Sequence, residues 1–230
     1  MALNFGLGLG FRRVSGNGGG GGGLPSISDD FNRAGPELGA AWTERQRTTN
    51  SGIIGNELTC VRTSVPVGGW MTAYLVALEP GANLSISFDA RFGVDNGAVD
   101  QRIALWLHSD VNTGTEEQAP GAGADVYELR LQPDMGSACQ LTRYDNGSGA
   151  NIGATFASGI STSAVPVVVG LTVNAGDVTI TVTVNGVLKA TRVDANAARK
   201  VAAGYFGIAL QSSNNASASA IIDNLVVSAA

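Results

Sequence analysis

Leu84-Ser85-Ile86-Ser87-Phe88-Asp89-Ala90-Arg91-Phe92 carries an apolar residue at every even position and a polar or charged one at every odd position. Side chains of a β-strand alternate between its two faces, so this stretch reads as a strand buried on one side and wet on the other. Val178, Ile180, Val182 and Val184 repeat the pattern, with Thr179, Thr181 and Thr183 between them, and Asn185-Gly186 follows directly. Asn-Gly is a strong hairpin signal, because both central residues of the tight turn need positive φ. Asp95-Asn96-Gly97 and Asp145-Asn146-Gly147 mark two further turns. Working outward, strands are predicted over 40–48, 57–63, 70–78, 99–108, 124–132, 138–144, 151–157, 165–173, 204–211 and 219–227. One short helical stretch is expected at Ala195–Lys200. About twelve strands joined by short glycine-rich turns form a two-sheet sandwich more readily than a small barrel.

The composition agrees with such a fold. Glycine accounts for 32 of 230 residues, and apolar residues for 44% against 14% charged, so turns are plentiful and the polar faces use Thr, Ser and Asn. The apolar content is too high for a disordered chain. A net charge of −5 argues against nucleic-acid binding, which needs clustered Lys and Arg to neutralise phosphates. No apolar run approaches the roughly 20 residues of a membrane-spanning helix, so no membrane insertion is expected. Cys60 and Cys139 are the two cysteines. With no CxxC spacing and a large core, two free, shielded thiols are favoured over a disulfide. His108 is the single histidine, which rules out a histidine-rich metal site.

Residues 1–23 differ from the rest. Leu3, Phe5, Leu7, Leu9 and Phe11 alternate with small or polar residues, Arg12-Arg13 follow, and glycine is unbroken from Gly18 to Gly23. The glycine run by itself reads as a flexible linker. The alternation ahead of it suits a strand added to a neighbour's sheet edge, which makes 1–23 an assembly arm that binds another protein or another copy. No basic n-region precedes the apolar residues, so the segment is a poor signal peptide. The domain proper is expected to span 24–230.

Two motifs at the ends of that domain carry a resemblance. Asp29-Asp30-Phe31-Asn32-Arg33 with Leu38-Gly39-Ala40-Ala41-Trp42 stands at one end. Gly204-Tyr205-Phe206-Gly207-Ile208-Ala209-Leu210 with Ile222-Asp223-Asn224-Leu225-Val226-Val227 stands at the other. Together they resemble the concanavalin A-like lectin/glucanase (LamG-like) superfamily over about residues 28–228. The resemblance implies an all-β jelly roll of two curved antiparallel sheets, with first and last strands paired and Phe31, Trp42, Phe206 and Leu225 in one core. It also implies a concave sheet where relatives often hold glycans, without fixing an activity. The layout of arm and sandwich resembles that of tailed-phage structural proteins.

An enzyme is not expected. The superfamily's glucanases offer carboxylates in a Glu-x-Asp-x-Glu pattern, and this chain has none. Glu128 has Val126 and Arg130 as its two-apart neighbours, so a Glu128–Arg130 surface ion pair is the plain reading, with a glycan contact through Arg130 or an acid role for Glu128 as alternatives. No Gly-x-Ser-x-Gly is present. Asp100, Arg102, Ala104, Trp106 and His108 share a strand face opposite Gln101, Ile103, Leu105 and Leu107. An exposed Trp106 ring would stack on a sugar, with Arg102 and His108 bonding its hydroxyls. The same ring would serve equally in a core or interface, and Tyr127 and Tyr144 carry the same two readings. Trp70 reads as a core anchor at a loop edge. Asp95, Asn96, Asp100, Asp110 and Asn112 offer too few clustered oxygens for calcium, and Asx turns account for them. No cofactor or metal is expected. Trp106, Arg102, His108, Arg130, Glu128 and Tyr144 form the candidate glycan face. The function that joins these readings is a virion structural protein (capsid decoration, head fibre or tail component), anchored by its arm and displaying a lectin-like sandwich to host glycans. A carbohydrate-binding module without an assembly role and a divergent glycoside hydrolase are the alternatives.

Overall fold

The computed structural model describes residues 27–35, 37–38, 42–47, 51–61, 69–75, 83–94, 101–109, 125–133, 138–196, 205–212 and 219–229. Strands along the chain are β1 (Ile27–Asp29), β2 (Trp42–Arg47), β3 (Ser51–Ile54), β4 (Glu57–Val61), β5 (Gly69–Leu75), β6 (Leu84–Phe92), β7 (Gln101–Ser109) and β8 (Val126–Leu131). They continue as β9 (Gln140–Asp145), β10 (Ser148–Asn151), β11 (Val165–Asn174), β12 (Asp177–Val184), β13 (Val187–Asp194), β14 (Tyr205–Ser212) and β15 (Ser219–Ala229). The first sheet runs β13-β12-β11-β6-β15-β4-β3, with β1 also on β15, and the second runs β10-β9-β8-β7-β14-β5-β2. The all-β, two-sheet antiparallel sandwich is the fold that the alternating segments called for.

The alternation translates directly into burial. In β6, every even-numbered residue from Leu84 to Phe92 is buried and every odd one is half-buried. Val178, Ile180, Val182 and Val184 of β12 point into the same core, where Ile103, Leu105, Leu107, Leu129, Leu131, Ile208 and Leu210 meet them from the second sheet. Hairpins set the registers. Asn146-Gly147 (φ 51° and 80°) joins β9 to β10, and Asn185-Gly186 (49° and 74°) joins β12 to β13. The same pair of left-handed residues appears at Gly55-Asn56 and Ala175-Gly176, where the sequence carries no Asn-Gly or Asp-Gly. Asp95-Asn96-Gly97, residues 1–26 and the side chain of Trp70 lie outside what the structure describes.

Two expectations are corrected. A strand was expected over 151–157, but β10 ends at Asn151 and only one bridge, Cys139 to Phe156, follows. Gly153 and Gly159 take φ of 72° and 74° and turn the segment across the gap between the sheets. There Phe92 N–H donates to Ser161 O (2.9 Å), and Arg192 reaches Ala154 O while its guanidinium lies over the Phe156 ring. The helix expected at Ala195–Lys200 does not begin at Ala195 or Asn196. Ala195 and Asn196 are non-helical, and Asn196 N–H is taken by the Asp194 carboxylate at 3.1 Å. The rest of that stretch lies outside the described residues. Cys60 and Cys139 are buried free thiols, and burial pushes the Cys60 thiol up to about 12 against hydrogen bonds from Ser51 and Ser212.

Three inward polar groups hold the ends and edges together. Asp29 lies at the end of β1, which pairs Ile27 with Val227 and Asp29 with Leu225 on the last strand. Its carboxylate accepts from Phe31 N–H (2.8 Å), both Arg33 Nη atoms (2.7 and 2.8 Å) and Trp42 Nε1 (2.8 Å). Phe31 is held at φ 49°, costly for a bulky residue, with its buried ring 6.3 Å from that of Trp42. Phe31, Trp42, Phe206 and Leu225 share one core cluster, and the first and last strands pair, as the end motifs implied. Gln101, which opens β7's inward row ahead of Ile103, Leu105 and Leu107, is fully buried. Its Oε1 accepts from Gly93 and Ser219 N–H (both 3.0 Å), and its Nε2 donates to Val94 O.

Asp194 closes the opposite edge. It takes Arg143 Nη1 (2.8 and 2.9 Å) and the Tyr127 hydroxyl (2.9 Å), joining β8 and β9 of the second sheet to β13 of the first. Burial pushes this carboxyl up, but the bonds from Arg143, Asn196 N–H and Tyr127 outweigh it and hold the group below the ordinary carboxylate value. Stabilisation by a depressed carboxyl is full above the unfolded value of about 4 and is lost as pH falls through the lower folded one. Asp194→Asn is expected to cost about 3–5 kcal/mol at neutral pH, because it strands the Arg143 charge. Urea titrations at pH 7 and pH 3 check this: the gap between wild type and variant narrows at the lower pH.

Candidate functional site

The outward face of the second sheet is built by period two from four adjacent strands. Cross-strand register sets Gly207 opposite Trp106, Trp106 opposite Glu128, and Glu128 opposite Thr142. The neighbouring rows place Ala209, Ala104, Arg130 and Gln140 in one line, and Val126 beside Tyr144 in another. Asn151 and Gly149 of the edge strand β10 complete the rows opposite Thr142 and Tyr144. Five of the six sequence candidates, Arg102, Trp106, Glu128, Arg130 and Tyr144, therefore share one face.

Within it, the roles divide. Trp106 is 1% exposed and packs with Ala104, Val126 and Ala209, with Tyr144 half-buried against them. Of the two readings left open for Trp106, the packed one holds, in a small apolar cluster that this face carries on its own. The indole Nε1 donates to Glu128 Oε2 (3.1 Å), and Arg130 Nη2 donates to Glu128 Oε1 (2.7 Å). The Glu128–Arg130 pair forms as expected, except that its carboxylate is buried and not at the surface. Both carboxylate oxygens are engaged, which leaves Glu128 arranged as an acceptor that orients its neighbours.

His108 also departs from expectation. Tyr205 pairs with Ser109 and Gly207 with Trp106, so Leu107 and His108 face Phe206 alone across a bulge. His108 takes φ 50° there and is buried instead of standing on the open polar face. Tyr127 belongs to the main core.

Tyr144 is the aromatic that remains partly open. A Cβ built on Gly149 would lie 3.1 Å from Tyr144 Cε1 and 3.2 Å from Thr142 Cγ2, so the missing side chain lets the ring lie across the edge strand. Burial and the Glu128 charge raise the phenol, while the Arg130 and Arg102 charges pull it the other way. Thr142 Oγ1 donates to Asn151 Oδ1 at 3.2 Å. Gly149, Thr142 and Asn151 were not singled out from sequence. Counting outward from the Asn146-Gly147 turn places them opposite Tyr144 and one another, and that register was the available signal.

No family model matches this chain, and no curated protein does. Solved structures do. The carbohydrate recognition domain of Emp47p superposes with a TM-score of 0.62 at 17% identity, covering 92% of this chain and 99% of that one. The potassium-bound carbohydrate recognition domain of Emp46p gives 0.62 at 12% identity, over 81% and 88%. A legume lectin-like domain from Entamoeba histolytica gives 0.59 at 10% identity, over 81% and 89%. The fold is a concanavalin A-like sandwich. At these identities the likeness is one of architecture. Among the described residues of this concanavalin A-like domain, no group of three or more His, Cys, Asp or Glu side chains is placed to hold a metal ion. Asp95, Asn96, Asp100, Asp110 and Asn112 lie outside those residues.

Because the Trp106 indole is enclosed and bonded, Trp106→Ala is expected to cost about 3–5 kcal/mol of stability. Thermal unfolding checks this, and an unchanged melting temperature would return Trp106 to the surface.

Proposed function

We propose that this domain binds carbohydrate on the outward face of its second sheet, at the β8–β9–β10 edge. The observation that carries the reading is the Tyr144 ring, half-open and laid over Gly149, on the same face as Arg130. A sugar's apolar face stacks on such a ring, and nearby donors fix its hydroxyls. Thr142 and Asn151 supply hydroxyl and amide partners in the adjacent row. The structural neighbours described as carbohydrate recognition domains support the same reading.

Binding fits the face better than hydrolysis. A retaining glycosidase sets two carboxyl groups about 5–5.5 Å apart. On the outward rows of β7, β8, β9 and β14, Glu128 is the one carboxylate among the described residues, and both of its oxygens are taken. Screening the full chain on a glycan array should give ligands, and Tyr144→Ala should weaken them at least about tenfold (about 1.4 kcal/mol) with an unchanged melting temperature. Retained affinity in that variant would remove this face from the reading.

A second reading places the domain in a virus particle, where residues 1–23 anchor it to other virion proteins or to copies of itself. What favours it is the large-apolar alternation from Leu3 to Phe11 ahead of Arg12, Arg13 and the glycine run. Assembly would then occur in the host cytoplasm, with no need of a signal peptide. Deleting residues 1–15 is expected to abolish incorporation into particles while leaving a soluble, folded domain. Unchanged incorporation would end the arm's assigned role.

A further inference from the structure

We infer that residues 3–11 of this chain lie as an added strand on the open side of β13, at the edge of the first sheet. The inference takes from the second reading above only the alternation of Leu3, Phe5, Leu7, Leu9 and Phe11, and goes beyond it by naming the surface that receives them. Among the described strands, β13 pairs with β12 alone. It is eight residues long, and Val187, Leu188 and Val193 on it are 57%, 60% and 54% exposed. A long edge strand with bare apolar side chains pairs with whatever strand it meets, and folded proteins usually guard it with charge. Here the charges are withdrawn. Asp194 is buried on Arg143 and Tyr127, Arg192 bonds Ala154 O and lies over the Phe156 ring, and Lys189 Nζ would be 2.8 Å from a Cβ on Gly159. All three are engaged with the domain itself, so none stands guard over the edge. The other described edges differ: β10 and β3 are four residues each, and β2 carries Glu44, Arg45 and Arg47.

The outward rows that reach β13 suit an apolar strand. Leu188 stands opposite Thr183, Thr191 opposite Thr181 and Val193 opposite Thr179. These rows run on through Val168, Gly170 and Thr172 and hold no charged residue. A strand added in register continues them with Leu3 to Phe11 on the outward side. Its other side carries Asn4, Gly6, Gly8 and Gly10, which need little room where Arg192 and the 152–160 segment already close the inner margin. The connection is long enough. Ile27 pairs with Val227, and the register runs on through Ile86, Val169 and Val182 to Ala190, in the middle of β13. A strand beyond β13 lies six strand spacings from β1, about 29 Å. Residues 12–26 reach at most about 50 Å when extended. The chain's own arm therefore arrives with slack, and its tether gives it an effective concentration on the order of millimolar, above that of a free second copy. Two bare edges would not hold each other as well. Three exposed side chains a side fall well short of the roughly 800 Å² per partner of a stable interface. An arm resting at home can still pass to a neighbour's β13, since exchange of an identical element makes oligomers at low cost.

Chymotrypsin on the full chain tests this, with cleavage after Phe5 or Phe11 followed by mass. A docked arm is cut only while it is open, so the rate tracks the open population. Leu188→Lys together with Val193→Lys returns charge to an exposed edge without touching the core, and should speed that cleavage about tenfold. Leu7→Asp should do the same, and because it lies outside the domain it cannot act by unfolding it. Cysteine pairs give the geometry, since Cys60 and Cys139 are buried and do not compete. Under mild oxidation, Leu7→Cys combined in turn with Leu188→Cys, Thr191→Cys and Val193→Cys should give a disulfide within one chain for at least one pair. Equal cleavage in the wild type and both variants, or no link within a chain from any pair, overturns the inference. So does a link that forms only between two isotopically distinct chains, which would give the edge to a second copy's arm. A dimer joined at β13 with the arm still open to chymotrypsin overturns it in favour of edge-to-edge pairing. If deleting residues 1–15 abolishes incorporation into particles but the arm is never protected, the assembly reading stands and only this resting place falls. If the arm is protected and linked but incorporation is unchanged by the deletion, the assembly reading falls and this one stands.

Discussion

A carboxylate withdrawn from water inside a sandwich is tolerable only when its lone pairs are met, and Asp29 is met by four donors. Two come from Arg33, one from the Phe31 backbone and one from the Trp42 indole. The bonds fold the chain after β1 into a tight turn, force Phe31 into a left-handed conformation and drop its ring onto Trp42. Because β1 itself lies on β15, the clamp fixes the start of the domain against its last strand. β15 in turn sits between β6 and β4, in the middle of the first sheet. A break at Asp29 would therefore be felt at the centre of the fold, although the residue is near its beginning. Such long-range closure also makes folding slow in principle, since the final strands must insert between strands formed far earlier in the chain.

The same device recurs wherever a charge is enclosed. Asp194 takes Arg143 and the Tyr127 hydroxyl at one edge, and Glu128 takes Arg130 and the Trp106 indole on the outward face. In each case a carboxylate meets one arginine and one aromatic donor. The chain has few charges, and it spends several of them where they dictate geometry. An enclosed pair is weak evidence for net stability, since well-packed apolar residues would often do as well. What it does fix is orientation, because a carboxylate with two assigned donors holds both side chains in one place.

The sandwich and its end-to-end closure could be read from the chain because strand periodicity and tight turns are local signals. Leu84–Phe92 and Val178–Val184 state their own buried faces, and Asn146-Gly147 and Asn185-Gly186 state their own turns. The turns at Gly55-Asn56 and Ala175-Gly176 use residue pairs without that signature, so β3 was missed beforehand. Trp106 shows the deeper limit. Period two assigns it to the face opposite Leu105 and Leu107, correctly, but says nothing about whether that face is itself covered. Its burial depends on Ala104, Val126 and Ala209, two of them on other strands. His108 escaped for a related reason, since a bulge breaks the alternation and only the partner strand reveals it.

The two aromatics of this face differ in what holds them. Trp106 lies in the middle of the sheet, where strands on both sides enclose it and any change is felt in packing. Tyr144 lies one strand from the edge, and all four residues of β10 beside it are exposed. Substitutions on such an edge cost little folding energy, so the size and polarity of residues 148–151 can vary without disturbing the core. The ring's position depends on Gly149 alone for its clearance, and the turn that presents it is fixed by Asn146 and Gly147. The edge can therefore change while the Trp106–Glu128–Arg130 chain of bonds holds Arg130 in place. The buried part of this face is scaffold, and its open margin is free to vary.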